Sequence, residues 1–232
     1  MSKALEPHEN LEPLDKSKHQ ELRLSKLQTF NFAKTISSVP ISFSEMLPVS
    51  QFYPIILPAD GNPTPMALLS IKEGMNRYVD EQGRWKAPYI PLCIRLYPFV
   101  FAKIENKEDQ YALCLDRNAE HFAAGQGEPL FTADGEPNEF IQGIFSTLKL
   151  YHQELAVTKT LFTALAEKEL IAARKFDFQI NGQQRSVNGF KGIDMEKLLT
   201  LDDKTIAGFV KNGTMPMVYT HLQSLSKFAF LA

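Results

Sequence analysis

Cysteine is scarce in this chain: Cys93 and Cys114 are its only two, and two do not make a disulfide framework. Each lies in an apolar segment, where a free thiol packs as a small hydrophobe, and the sequence leaves open whether they are close enough to pair. Charge of one sign is lacking too. A formal net charge of -2 gives no general attraction to nucleic acid or to anionic lipid, so no nucleic-acid partner is expected. No run of eighteen apolar residues occurs, which argues against a membrane-spanning helix. Residues 1–19 are polar and charged and lack the apolar centre of a secretory signal, so the expected location is cytoplasmic, with a surface location open only to a non-Sec route. The five histidines, His8, His19, His121, His152 and His221, show no metal-ligand spacing, and no acidic calcium loop is present, so no metal is expected. Glycines form neither a phosphate cradle nor a Gly-x-Ser-x-Gly elbow, which speaks against nucleotide-dependent and serine-hydrolase chemistry and leaves no cofactor to assign.

What is present is ordinary globular material: 44% apolar and 22% charged residues over 232 positions, enough to bury a core without covalent staples. Residues 1–20 are rich in Glu, Lys, Pro and His and read as a mobile arm; residues 21–232 read as one domain. Short alternating stretches at Leu22–Leu24 and Phe30–Ala33, and an extended Val39–Phe43, suggest strands. A helix start is expected at Ser44–Leu47, with Pro48 in its first turn. Three antiparallel pairs follow: 52–57 with 66–71 around Asp60-Gly61-Asn62-Pro63, 77–79 with 84–86 around Asp80-Glu81-Gln82-Gly83, and 99–105 with 110–116 around Asn106-Lys107-Glu108-Asp109. Asn138 is an N-cap for a helix over 138–170 whose length suggests a break near Val157 or Thr158. Asn181-Gly182 marks a hairpin, Asp194 and Asp202 or Asp203 start short helices, Met215–Tyr219 looks like a strand, and Thr220–Leu231 has helical spacing. The fold class is α+β: a largely antiparallel sheet, one long helix and a smaller C-terminal αβ segment.

The stretch from Arg84 to Ala102 holds the single Trp, one Cys and three prolines. Pro88, Pro91 and Pro98 cut it into short fixed pieces, with a helical turn or two between Pro91 and Tyr97 that delivers the chain into a strand. Arg84, Trp85, Tyr89, Arg95 and Tyr97 gather around this corner, and Arg and large aromatics dominate binding hot spots, with Arg able to clasp a carboxylate through two bonds. They are the candidate ligand-binding residues. The competing reading makes the rings core or core-rim side chains and pairs Arg95 with a structural acid. A second region, 117–137, is a Gly- and Pro-rich loop of a length usually reserved for binding, covering or linking; its His121, Asp134 and Glu136 are candidate lid and titrating groups. No catalytic residue can be assigned.

At Arg84-Trp85, Tyr89-Ile90-Pro91, Tyr97-Pro98-Phe99 and Gly127-Glu128-Pro129-Leu130-Phe131 the chain resembles the bacterial SapC family. The order of later segments agrees, through Asp134-Gly135-Glu136-Pro137, Gly189-Phe190, Asp194-Met195-Glu196-Lys197-Leu198 and His221-Leu222-Gln223-Ser224-Leu225, so the resemblance spans the chain beyond residue 20. Leu96 departs from it, standing where a second basic residue is expected after Arg95. The resemblance implies a surface-layer association and kinship with proteins encoded beside outer-membrane receptors and oxygenase- or halogenase-like proteins, and it assigns no activity. Three function classes follow: a binding or accessory protein recognising a peptide or small acidic ligand through the Arg and aromatic corner, an enzyme or enzyme partner in peptide or amino-acid modification, and a surface-layer structural protein.

Overall fold

The computed structural model describes residues 10–26, 29–103, 111–122, 125–180 and 182–231. In chain order these form β1 (Leu11–Pro13), α1 (Lys16–His19), β2 (Arg23–Leu24), β3 (Ser38–Pro40), α2 (Met46–Ser50), β4 (Ile55–Pro58), β5 (Met66–Leu68), α3 (Leu92–Leu96), β6 (Phe99–Lys103), β7 (Tyr111–Asp116), β8 (Glu128–Pro129), α4 (Glu139–Glu167), β9 (Ile171–Ile180), β10 (Gln183–Ile193), α5 (Met195–Leu199), α6 (Asp203–Lys211) and α7 (Thr214–Ser224). The fold is α+β with antiparallel sheets and one long helix.

The strands divide among three sheets: five strands in the order β3-β5-β4-β10-β9, three in the order β1-β7-β6, and the short pair β2-β8. The C-terminal αβ segment consists of the hairpin β9–β10 and helices α5–α7. The hairpin continues the five-stranded sheet, with Phe190 and Lys191 of β10 opposite Pro58 and Leu57 of β4. Residues 1–9 lie outside the described residues, but from Leu11 the chain pairs with β7, and His19 is buried, its Nδ1 accepting the Asp15 amide at 3.0 Å.

Two apolar cores result. The larger collects Tyr53, Ile55, Leu57, Leu69, Phe190, Val218 and Phe228 around the five-stranded sheet, and the smaller collects Leu96, Tyr97, Phe99, Leu115, Phe122 and Leu130 around the three-stranded one. Helix α4 serves both. Asn138 caps it by accepting the Ile141 amide at 2.9 Å; Ile141, Leu148 and Tyr151 then face the smaller core, and Phe162 and Leu165 the larger. Its 29 residues run unbroken, about 44 Å at 1.5 Å per residue. The break expected from its length near Val157 or Thr158 is absent; α4 packs against both cores along its length, and fully buried Thr158 returns its hydroxyl to the Glu154 carbonyl at 2.6 Å.

Met215–Tyr219 is helix rather than strand. Pro216 is the third residue of α7, where the backbone N–H has no intrahelical acceptor to lose. Gly213 turns the chain at φ 84° and Asn212 accepts the Thr214 amide at 3.0 Å, so the helix starts cleanly and buries Met217, Val218 and His221.

Candidate functional site

The corner is pinned from behind by Glu45, a nearly inaccessible carboxylate. The Ser42–Glu45 turn is a reciprocal capping box, with Glu45 Oε2 accepting the Ser42 amide at 3.3 Å. Its other oxygen, Oε1, accepts the Leu92 amide at 2.6 Å and the Tyr89 hydroxyl at 3.0 Å. Burial pushes the Glu45 carboxyl up from its ordinary value, and these donors oppose that rise. Pro91 precedes α3 as expected, and α3 feeds through Tyr97 and Pro98 into β6.

Arg95 projects from the last turn of α3. It is exposed, its Nε donates to the Ile90 carbonyl at 3.0 Å, and its guanidinium lies 5.6 Å from the Tyr89 ring centroid. It forms no ion pair with any described residue. Beside it opens a cleft of about 820 Å³, half-enclosed and chiefly apolar, within the range of roughly 300–1,000 Å³ typical of small-molecule sites. Leu24, Phe30, Phe32, Ile94, Pro98, Phe99, Phe140 and Ile144 supply apolar wall, Lys26 and Arg95 positive charge, and Glu128 one carboxylate. Tyr97 and His121 also line it, with Ser25, Thr29, Leu96 and Gly127. The Phe32 and Tyr97 rings stack at 4.0 Å between centroids, and His121 meets Tyr97 edge-on at 5.3 Å.

His121 sits on the 3-10 turn Glu120–Phe122, 9% exposed, with Nδ1 shielded from solvent and without a hydrogen bond. Burial lowers its pKa to about 4, so the ring is neutral near pH 7. Tyr97 is anchored by its hydroxyl, which donates to the buried Asp116 carboxylate at 3.3 Å.

The structure thus brings Arg95, Tyr97 and His121 to one cleft, with Tyr89 under the guanidinium. It does not bring Arg84 or Trp85 there. Arg84 folds back on Asp80 of its own turn, Nε to Oδ2 at 2.8 Å. Trp85 is half-buried behind Phe30, centroids 5.5 Å apart, and donates Nε1 to the Tyr53 hydroxyl at 2.8 Å, while that hydroxyl donates to the Tyr89 carbonyl. For Trp85 the core-rim reading is the one realised. Asp134 and Glu136 lie exposed on the turn bridged by Phe131 and Pro137, away from the cleft, and neither is joined to His121. Leu96 is buried in the smaller core and also lines the cleft.

Sequence reasoning missed Glu45, Lys26, Phe32 and Phe140. The capping-box spacing Ser42-x-x-Glu45 was a usable signal for the first; the others come from remote segments that only folding brings together. Both cysteines are free thiols. Among the described residues no group of three or more His, Cys, Asp or Glu side chains is placed to hold a metal ion. No helix there is long and apolar enough to cross a membrane.

The family model for SapC matches residues 14–231, which takes in every residue lining the cleft. The chain belongs to the SapC family. Comparison with curated proteins and with solved structures returns no match. In this SapC-family chain the family match begins within the segment that joins β1 to α1, so β1 alone among the strands lies outside it.

Proposed function

We propose that the cleft beside Arg95 binds a small acid with an apolar body, and that the chain acts as a binding or accessory protein for it. The observation that carries this reading is a guanidinium with no acid of the described residues within ion-pair distance, standing at the rim of an apolar, aromatic-walled cleft. A free carboxylate meets a forked donor there, with Lys26, just beyond β2, adding a second positive charge to the lining. The apolar tail of the ligand gains from leaving water against Phe30, Phe32, Phe99 and Phe140. Helix α3 and the Glu45 pin hold the cation in place before the ligand arrives, which lowers the ordering cost of binding.

Titration calorimetry with n-alkanoates from hexanoate to dodecanoate tests the reading. Saturable binding is expected for at least one length, weakened about tenfold in R95A and further in R95A/K26A, because a charge-assisted bond is lost. Equal binding by wild type and the double variant at every length, or no binding at all, overturns it. Tyr97 is unsuited to this test, since its ring is core and its hydroxyl holds Asp116.

A further inference from the structure

Among the described residues, three side chains carry a buried polar atom without a hydrogen bond: His121 at Nδ1, His221 at Nδ1 and Thr214 at Oγ1. The last two are fully buried around α7. His121 is different, because it is nine-tenths buried and yet is one of the residues lining the cleft. No described group bonds its imidazole, although an orphaned polar atom in an apolar setting is costly and native structures keep few of them.

The geometry points to His121 as the specificity-determining residue of the cleft: it hydrogen-bonds a hydroxyl or amide on the ligand, so the preferred ligand is an apolar acid bearing a second, uncharged polar group. This rests on the reading of the cleft as an acid site. Neutral imidazole carries one donor and one acceptor, which a hydroxyl or an amide N–H can each engage. The Tyr97 and Phe32 rings pack against it, and burial disfavours the imidazolium that would neutralise a second carboxylate at the ring itself. A diacid is therefore a poor match. A hydroxyl entering an apolar wall with no partner lowers affinity through its lost hydration, so a gain from an added hydroxyl reports a specific acceptor or donor at that place.

The experiment compares each n-alkanoate from hexanoate to dodecanoate with its ω-hydroxy and α,ω-diacid counterparts, by calorimetry at pH 7 on the full chain. Scanning the length places the terminal hydroxyl at successive depths. At one or two adjacent lengths the hydroxy acid is expected to bind about tenfold tighter than the parent, with the diacid no tighter than the parent. In H121F, which keeps an aromatic ring and removes both nitrogens, the preference of hydroxy acid over parent acid disappears or reverses. In H121Q, a second variant that retains a donor and an acceptor, part of the preference returns. Equal binding of parent and hydroxy acid at every length overturns the role of His121 while leaving the acid site intact. A hydroxyl preference that survives in H121F also overturns it. Absence of binding by all three series overturns both readings together.

Discussion

Glu45 Oε1 accepts the amide of Leu92 at 2.6 Å, joining the turn at Phe43–Glu45 to the first residue of the helix that carries Arg95. The same oxygen holds the Tyr89 hydroxyl, so a single buried carboxylate sets the pose of the rim cation and of the ring beneath it.

Removing that carboxylate leaves two amides and a phenol without their acceptor. E45A is expected to lose about 2–4 kcal/mol of stability and most acid binding. E45Q keeps one oxygen for Leu92 and Tyr89 but turns its NH₂ toward the Ser42 amide, so it loses less. The pH dependence separates the two effects. The folded-state pKa of Glu45 is raised above the ordinary 4.5, so the folded state holds the proton more tightly than the unfolded one. The cost of burying the charge is present above the folded value and is relieved as pH falls through it toward 4.5. Thermal unfolding of wild type and E45Q across that window should show the difference between them shifting in favour of wild type as pH falls.

The histidines act with the opposite sign. Burial lowers His121 and His221 from 6.5 to about 4, so below pH 6.5 the unfolded chain binds protons that the folded chain refuses. Their contribution is fully present above that value and is lost as pH falls toward 4. His221 Nε2 accepts the Ile193 amide at 3.2 Å, an acceptor that protonation would remove. The melting temperature should fall over this interval, and less steeply in H121F, which removes one of the two groups. Histidine NMR titration checks the assignment directly: both rings should remain neutral to about pH 4.

Gly127 and Gly189 both have positive φ, at 118° and 85°, but differ in their surroundings. A Cβ on Gly127 would overlap the Leu24 carbonyl across the β2–β8 pair, whereas one on Gly189, at the bulge of β10, meets nothing within 4 Å. G189A should cost about 1 kcal/mol from backbone strain alone. G127A should cost clearly more, and because Leu24 and Gly127 both line the cleft it should also weaken acid binding. Chemical denaturation of the two variants, read beside calorimetry, tests the contrast.

Arg95 is exposed and bonded only to a neighbouring carbonyl. R95A should therefore change stability by no more than about 0.5 kcal/mol, so its loss of acid binding can be read without a folding correction. A larger loss in denaturant would mean that the guanidinium is part of the corner's framework.

Several elements were legible before folding was considered. The prolines around α3, the caps at Asn138, Asp194 and Asp202, and the turns at 60–63 and 80–83 are local devices, and each appears where its residues place it. The misread elements had local signals that a distant contact outweighed. Met215–Tyr219 has the composition of a strand, but its place behind Gly213 and against α2 makes it a helix, and the length of 138–170 suggested a break that packing against both cores removes. Of the corner's residues, Arg95 and Arg84 carry the same chemistry in sequence, and they differ only because Asp80 lies within reach of one of them.

By itself the sequence determined the α+β class, the bend at Pro91–Pro98 and the presence of a cation and aromatic rings upon it, because turns, caps and proline restrictions act over a few residues and need no partner far along the chain. Only the tertiary structure decided which of those side chains share a cleft. Lys26, Phe32, Arg95, His121 and Phe140 come from five separate segments, and what sets Arg95 beside an apolar wall, or shuts His121 from water, is the packing of α4 and the small sheets around them, a matter of burial and distance that no local pattern encodes.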